Sequence, residues 1–504
     1  MSHSPWPLLP SVPPSPRVSA VPESNRKFAP FRFLGFPISD LLFPISDPRS
    51  PNRRANPCLI REGRLSEHHV RSGESDSGGA EIQGIPYTAI AEEHGTPFFV
   101  YDAHVLSTTL RELRDVLPAG VDVLYSLKAN PNISVCAVLH RAGAGAEVSS
   151  VAELTTALRA GVDPGDIVFL GPGKTRADLV ACLEAGIHAV VCESFAELRL
   201  LDRIADGRGG TTPVRALLRV NPAFASKGSG LAMGGKPRQF GIDEEQVRAC
   251  RPLLDTLRRV EVVGFHAYMG TRFLHHEDIV ANTENILAMA ESLAADLRIR
   301  LDTVDFGGGL GVAYFENEED LDVDALGKGL AGPVAEFRER HPGCRLIMEL
   351  GRYLTARAGT YVTRALYVKE SSGESFVVAD GGTHHHMAAV GIGSFVKRNF
   401  PVRHLGRPHA PADRTYTVTG PLCTPNDTVV KRAALPEVVP GDLLGVERSG
   451  AYGPTASPGL FLSHGYPAEV LVHAGRAHLV RDRDTPEELL ARQHLVGLDL
   501  PAAG

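Results

Sequence analysis

The sequence VDVLYSLKAN, residues 121–130, runs from an apolar stretch into a lysine and an asparagine. Val, Leu and Tyr in such a short run predict a buried strand that ends in polar residues. Seven further apolar runs follow, at residues 144–148, 166–170, 188–192, 214–220, 260–266, 301–306 and 345–350. Most of them are separated by segments with the apolar period of a helix, at residues 151–160, 177–185, 195–205, 279–297 and 325–340.

Eight strand–helix units within about 230 residues predict an α/β protein with a TIM (β/α)8 barrel. The alternative is a doubly wound open sheet that binds a dinucleotide. Its one fingerprint would be the glycine run Gly307–Gly311, and no clear crossover helix follows that run. The barrel is therefore the better prediction.

After Leu354 the pattern changes to short β-type segments separated by Gly and Pro, at residues 360–369, 375–379, 416–419, 442–447, 468–472 and 477–481. This pattern predicts a second, all-β domain. Residues 87–101 precede the barrel and are expected to add a strand to that domain. The predicted organisation is a barrel over residues 105–354, a β domain from residues 82–104 and 355–485, and a C-terminal tail over residues 486–504.

The composition excludes several classes of function. Lys and Arg number 52 against 59 Asp and Glu, which gives a formal net charge of −7. Such a charge favours neither nucleic acid nor an anionic membrane as a partner, and no apolar run approaches the ~18 residues of a membrane span. The seven cysteines are scattered and odd in number, as is typical of free thiols in a reducing compartment. We therefore expect a cytoplasmic protein.

The first 80 residues have a different character. Thirteen of the 37 prolines lie in residues 1–57, among Ser and Arg. Such a segment cannot offset its ordering entropy by burial, so a disordered extension is predicted. Residues 1–10 lack the basic start and apolar core of a secretory signal, and an organellar transit peptide is the less favoured alternative.

Polar residues at the carboxyl ends of barrel strands are the usual catalytic positions. Lys128 directly follows the first predicted strand. Desolvation there would lower the pKa of its amine and favour imine formation, although exposed lysines are more common. Glu349 ends the eighth strand and needs a partner, either a protonated heterocyclic nitrogen or Arg352, which could also clamp a carboxylate. The run Gly307–Gly309 would let backbone N–H groups approach an anion, or would form only a tight turn.

Two further motifs lie in the predicted β domain. Cys423 belongs to GPLCTPND, residues 420–427. Most free cysteines are inert small hydrophobes, and one in a loop beside Pro and Asp is less typical of that class. His384–His386 resemble a metal site at first sight, but consecutive side chains point in different directions and rarely share one ion. No metal site is predicted.

Together these residues resemble the fold-type III pyridoxal-phosphate decarboxylases, the family of diaminopimelate, ornithine and arginine decarboxylases. The matching motifs occur in the family's order: YSLKAN (125–130), ES (193–194), RVNP (219–222), FGI (240–242), DFGGG (305–309), ELGRY (349–353), GPLC (420–423) and GAYG (450–453). The resemblance implies a homodimer in which each active site lies between one subunit's barrel and the other subunit's β domain.

The resemblance also implies roles for individual residues. Lys128 resembles the lysine that forms a Schiff base with pyridoxal 5'-phosphate, and Glu349 resembles the carboxylate facing the pyridine nitrogen. Cys423 matches the residue that protonates the substrate carbon after CO2 leaves. The other residues implied in cofactor binding are Glu147, Tyr268, Thr271, Gly307, Gly308, Gly309, Gly351, Arg352 and Tyr452. Those implied in substrate binding are Arg352, Thr424 and Asp427.

The departures from the family pattern concern the substrate. Ornithine enzymes place an Asp after the cysteine and diaminopimelate enzymes use a Glu, whereas this chain has the neutral Thr424. A distal ammonium buried there would lack a counter-charge. Tyr268 stands where the family stacks a histidine on the cofactor. These variants are closer to the branch with carrier-protein-linked glutamate decarboxylases and exosortase-associated decarboxylases.

We therefore expect decarboxylation of an α-amino acid without a distal ammonium, either free or carried by a carrier protein. Diaminopimelate decarboxylase is the first alternative. A racemase of the same fold and a catalytically silent regulatory homologue are further alternatives. An acid at Glu349 favours the decarboxylase over the racemase, because fold-type III racemases place an arginine at the ring nitrogen and so limit the electron sink.

Overall fold

The computed structural model describes residues 78–209, 212–225, 228–235, 237–390 and 398–497. The predicted N-terminal extension lies outside these residues apart from positions 78–80. Ala80 belongs to the fold, since it is buried and its N–H donates to the carbonyl of Leu405 at 2.7 Å. Among the helices described, none is both long and apolar enough to cross a membrane.

Eight parallel strands close into the predicted barrel. Three strands precede them: a short antiparallel pair, Glu81–Ile82 and Ile85–Pro86, and the strand that we label β1 (Phe98–Asp102). The barrel strands are β2 (Val121–Ser126), β3 (Gly145–Val148), β4 (Ile167–Phe169), β5 (Ala189–Cys192), β6 (Val214–Asn221), β7 (Val260–His266), β8 (Thr303–Gly308) and β9 (Arg345–Leu350). Each pairs with the next in parallel, and β9 pairs with β2 to close the barrel.

The helices of the chain lie mostly between the barrel strands. In chain order they are α1 (Tyr87–His94), α2 (Ala103–Val116), α3 (Ile133–Arg141), α4 (Val151–Arg159), α5 (Arg176–Ala185), α6 (Phe195–Arg208), α7 (Glu244–Arg248), α8 (Arg251–Leu254), α9 (His276–Leu297), α10 (Val323–Arg340), α11 (Arg352–Thr355) and α12 (Pro486–Leu490).

Successive side chains of a strand point alternately into and out of the barrel, and this alternation determines which side chains line its interior at the carboxyl ends of the strands. Leu124 of β2 and Ile347 of β9 belong to the apolar cluster that fills the barrel interior. Residues two positions apart on a strand share a face. Ser126 and Glu349 therefore lie on the interior face at the carboxyl ends of the same two strands.

The second domain is a mixed sheet that includes the N-terminal strand. Its further strands are β10 (Gly359–Ser371), β11 (Glu374–Ala379), β12 (Val402–His404), β13 (Arg414–Thr419), β14 (Thr428–Leu435), β15 (Leu443–Val446), β16 (Ala468–His473) and β17 (Arg476–Arg481). The order is β14-β13-β11-β10-β1-β16-β17, and β15 pairs with both β10 and β12. The β domain is thus built around β1, although β1 is far away in sequence.

The N-terminal segment adds a strand to this domain, as expected. Within residues 87–101 the strand is limited to β1, and α1 occupies Tyr87–His94. Tyr87, Ile90 and Ala91 are all buried. Their spacing of three and four residues is the period of a helix and not of a strand.

Candidate active site

A small cavity lies at the carboxyl ends of the barrel strands. Barrel residues form most of its wall, and Tyr452 reaches it from the β domain. The lining residues are Ser126, Lys128, Tyr268, Thr271, Gly309, Leu310, Glu349, Leu350, Gly351, Arg352 and Tyr452. Most of the residues predicted to bind a cofactor therefore meet in one cavity.

Lys128 lies in a short 3-10 turn, Leu127–Ala129, at the end of β2. Its Nζ donates to Glu147 Oε2 at 2.7 Å, and the Glu147 side chain is fully buried. Ser149 Oγ donates to the other carboxylate oxygen at 2.9 Å. The Lys128 Nζ also lies 5.9 Å from the centre of the Tyr268 ring.

The expectation that burial lowers the pKa of Lys128 is wrong for this protein. Burial alone would lower that pKa, but the carboxylates of Glu147 and Glu349 outweigh burial and hold the pKa above its usual range. The lysine is therefore an ammonium at neutral pH. Glu147 must give up this ammonium before the amine can act as a nucleophile.

The turn that carries Lys128 is attached to the β domain by several hydrogen bonds. Tyr452 N–H donates to the Ala129 carbonyl at 2.6 Å, and Asn130 Nδ2 donates to the Gly450 carbonyl at 3.1 Å. Tyr125 Oη donates to the Asn130 carbonyl at 2.6 Å. These contacts fix the lysine of one domain relative to the tyrosine of the other.

Glu349 is a buried carboxylate beside two other buried titratable groups. Its nearest partner is His266, whose Nε2 lies 3.5 Å from Oε2. Burial alone would raise the pKa of Glu349, but His266 and Lys128 outweigh burial and lower it to about 2. Burial and the nearby Glu349 carboxylate raise the pKa of Asp305 well above its usual range. We conclude that Asp305 carries the proton and Glu349 carries the charge.

No donor among the described residues makes a hydrogen bond with either oxygen of Glu349. Glu349 has His266 as an ion-pair neighbour at 3.5 Å, but a buried carboxylate whose oxygens accept no hydrogen bond is costly unless a bound group supplies a donor. A protonated pyridine nitrogen is such a donor. The alternative partner from the sequence, Arg352, donates to Tyr314 Oη at 3.2 Å. The site therefore fits a group with a protonated ring nitrogen.

The glycine run after β8 serves tight packing as well as the cavity. The Gly307 N–H donates to Asp305 Oδ1 at 2.9 Å, and a Cβ on Gly308 would lie 2.5 Å from the Glu349 carbonyl. Gly309 has a φ of +74°, and a Cβ there would lie 2.1 Å from the Gly270 carbonyl. Of the three glycines only Gly309 lines the cavity.

The loop that carries Cys423 lies apart from the cavity of its own chain. Cys423 is the one exposed cysteine among the described residues, and it does not line the cavity. Asp427 is buried, and both of its oxygens are used. They accept hydrogen bonds from Thr383 N and Leu422 N, each at 2.7 Å. Asp427 therefore holds the loop together, and its expected contact with substrate stays a prediction. Thr424, which follows Cys423 in this loop, is half-buried.

The histidine run is part of the β-domain core. His385 Nε2 lies 3.1 Å from the Gly465 carbonyl, and His386 Nε2 lies 2.8 Å from Ser449 Oγ. Their partners are far apart in sequence, as expected for side chains that point in different directions. The residues described contain one group spaced closely enough to hold a metal ion, namely His266, Asp305 and Glu349. The sequence placed His266 at the end of a predicted strand and Asp305 in the DFGGG motif, and no role was predicted for either residue.

Comparison with known proteins places these features in one family. Residues 104–356 match the family described as "Pyridoxal-dependent decarboxylase, pyridoxal binding domain". An L-glutamyl-[BtrI acyl-carrier protein] decarboxylase of Niallia circulans is 36% identical over 81% of this chain and 95% of its own length. A diaminopimelate decarboxylase of Pseudomonas aeruginosa is 34% identical over 82% of this chain and 96% of its own.

Solved structures agree with the sequence relatives. The crystal structure of diaminopimelate decarboxylase from Helicobacter pylori complexed with L-lysine matches with a TM-score of 0.72 and 29% identity. The match covers 80% of this chain and 98% of that one.

Proposed function

The chain belongs to the pyridoxal-dependent decarboxylases, and from that premise we propose that it decarboxylates an α-amino acid without a distal ammonium, carried as the acyl group of a carrier protein. It is a carboxy-lyase, and its cofactor is pyridoxal 5'-phosphate. The substrate is the part of this statement that needs an argument from the site.

When bound, pyridoxal phosphate supplies an electron sink for the electron pair left behind as carbon dioxide departs. Glu349, charged and unpaired, would hold a proton on the ring nitrogen. Lys128 would supply the attaching amine, and Glu147 would hold and orient its ammonium until the cofactor enters. Tyr268 offers an aromatic face, and Arg352 and Thr271 offer donors to an anionic group at the same cavity.

Cys423 is proposed as the group that returns a proton to the substrate carbon. Its thiol is exposed and absent from its own chain's cavity. It can reach such a site only from a second subunit, so the proposal includes a homodimer whose active sites are shared.

One observation carries the substrate proposal: the Cys423 loop has no uncommitted carboxylate. Asp427 is the only acid in residues 420–430, and backbone donors occupy both of its oxygens. The residue after the cysteine is Thr424, which is neutral. A distal ammonium would therefore be desolvated here without a partner, whereas a neutral thioester or amide would not.

A diaminopimelate decarboxylase is the second candidate. Relatives that carry this name are up to 34% identical over most of the chain. The enzyme would then have to find a counter-charge for the distal ammonium outside the Cys423 loop. The two candidates therefore predict opposite preferences: the first for a substrate whose distal end is neutral, the second for one whose distal end is a charged ammonium.

A CO2-release assay distinguishes them. Purified enzyme is supplied with L-glutamate, meso-diaminopimelate, L-ornithine and a glutamyl-carrier protein. We expect the highest kcat/KM for the carrier-bound substrate. Faster turnover of meso-diaminopimelate or ornithine would overturn the substrate proposal.

Two lysine variants serve as controls in this assay. Lys128→Ala should abolish turnover, because its Nζ is the one lysine amine in the cavity lining. Lys328→Ala, an exposed lysine on α10, should retain turnover. Product of inverted configuration without CO2 would indicate a racemase. A purified protein with no borohydride-reducible chromophore would indicate a silent homologue.

A further inference from the structure

A row of alternating aromatic rings and guanidinium groups leads from the cavity to the protein surface. The first two members, Tyr452 and Arg352, line the cavity, and each next member lies against the one before it. We call these six residues the arginine–aromatic row: Tyr452, Arg352, Tyr314, Arg272, Phe315 and Arg398.

The contacts along the row are continuous. The Arg352 guanidinium lies 4.6 Å from the Tyr452 ring centre and 5.6 Å from that of Tyr314. Arg272 lies 5.7 Å from Tyr314 and 5.3 Å from Phe315. Arg398 lies 5.2 Å from Phe315 and is exposed, so it forms the outer end.

Stacking on a ring leaves the in-plane N–H donors of a guanidinium available. Arg398 has no hydrogen bond or ion pair with any described residue besides its contact with Phe315. Further in, Arg352 Nε and Arg272 Nε are buried, and neither has an acceptor among the residues described. Unpaired buried donors are rare unless a ligand or solvent satisfies them.

The charges around the row limit what it can bind. Arg272 is neutralised by Glu318 at 3.1 Å, whereas Arg398 has no such partner within the part of the chain that the structure describes. Glu316 and Glu319 are exposed on the same loop. These acids oppose docking of a large acidic protein surface. The row is suited to a narrow ligand with neutral acceptors along its length and one anionic group at the outer end.

We propose that the arginine–aromatic row binds the arm by which an acyl-carrier protein holds its cargo. That arm has amide carbonyls along its length and a phosphodiester at the protein end. The amide carbonyls would accept from Arg352 Nε and Arg272 Nε, and the phosphodiester would bind Arg398. This inference rests on the proposed function, because only a carrier-bound substrate brings such an arm.

The test compares two substrates that differ only in the phosphate. These are the γ-L-glutamyl thioesters of 4'-phosphopantetheine and of pantetheine, joined through the side-chain carboxyl so that the α-carboxylate is free to leave as CO2. For the wild-type enzyme we expect the KM in CO2 release to be about tenfold lower with the phosphate, the size of one charge-assisted hydrogen-bonded contact.

Arg398→Gln should bring the two KM values together, and Arg398→Lys should restore part of the difference. Arg300→Gln is the matched control. Its side chain is 89% exposed and lies just before β8, at the opposite end of the barrel. This variant should keep the full difference.

Calorimetry measures the proposed contact between Arg398 and the phosphate independently of turnover. It compares the binding of 4'-phosphopantetheine with that of pantetheine, both without the glutamyl group. Equal KM values in the wild type, or a difference that survives Arg398→Gln, would overturn the row as the binding site and leave the proposed function intact. Turnover of free amino acids but of neither thioester would overturn the carrier-bound substrate. Absence of phosphate-dependent heat would overturn the row.

Discussion

At the scale of single residues, the site depends on how two buried carboxylates are used. Glu147 is paired with Lys128 and keeps the amine protonated. Glu349 has no hydrogen-bond donor among the described residues and keeps its charge. The two acids therefore have different partners: Glu147 pairs with the ammonium of Lys128, and Glu349 is proposed to pair with the ring nitrogen of the cofactor.

Glu147→Gln tests the first of these roles. An amide cannot stabilise the ammonium as a carboxylate does, so the pKa of Lys128 should fall. Cofactor capture needs the free amine, so the pH midpoint of capture by cofactor-free enzyme should move to lower pH. Capture at neutral pH should become several-fold faster, as followed by absorbance. Glu291→Gln, which removes an acid on the outside of the barrel, should leave the midpoint where it is. An unchanged or higher midpoint in Glu147→Gln would contradict this role.

Sequence reasoning reached Lys128, Glu349 and Tyr452, because each belongs to a short motif whose residues are adjacent in the chain. It did not reach the ion pair between Lys128 and Glu147, which raises the pKa that desolvation alone would lower. The hydrogen bonds that Asp427 accepts from Thr383 N and Leu422 N were also not predicted. The energy of an ion pair or hydrogen bond depends on the distance between residues on different strands. The spacing of residues along the chain does not give that distance.

At the scale of elements, the apolar runs predicted the barrel strands to within a few residues. Several helices were not predicted, and two of them, α2 and α3, begin after a capping side chain, Asp102 and Asn132. Strand β14 was missed because its sequence TVVKRAAL contains a cationic pair in the middle. Whether such a segment forms a helix or a strand depends on its burial by neighbouring elements. The local sequence pattern does not show that burial.

The turn at the end of β2 provides a prediction at this scale. Asn130→Ala removes the hydrogen bond to Gly450 that fixes Lys128 relative to Tyr452. We expect about a tenfold weaker affinity for pyridoxal phosphate, measured by titration of cofactor-free enzyme, with a small change in melting temperature. Gln83→Ala is the control, because Gln83 bridges Asp102 and Val472 within the β domain. Equal affinity loss in both variants would mean that the effect of Asn130 is only structural.

The glycine connection after β8 provides a second prediction at the scale of elements. In Gly309→Ala the new Cβ would lie 2.1 Å from the Gly270 carbonyl at a φ of +74°. We expect a loss of about 2–3 kcal/mol in the free energy of unfolding, measured in urea, because overpacking and backbone strain add. Gly332→Ala, on α10 with no atom within 4 Å of the new Cβ, should change this free energy by about 1 kcal/mol or less. Similar losses for the two variants would refute the close-approach argument.

At the scale of the whole molecule, one cavity contains most of the chemistry and one loop remains apart from it. The barrel and β1 bring Lys128, Glu349 and Tyr452 together. The Cys423 loop is held by Asp427 in a shape that exposes the thiol. Under the proposed function, a second copy of the chain would supply this thiol to the cavity.

Mixing two inactive variants tests this division directly. Lys128→Ala lacks the amine of its own cavity, and Cys423→Ala lacks the thiol that it would give to its partner. If each site combines Lys128 of one subunit with Cys423 of the other, a mixed dimer contains one site with both groups intact. After denaturation and refolding together, half of the dimers are mixed and each has one active site, so about a quarter of wild-type CO2 release should return. Each variant refolded alone should stay inactive. If both groups served the same chain's site, every site in the mixture would lack one of them, and no activity would return.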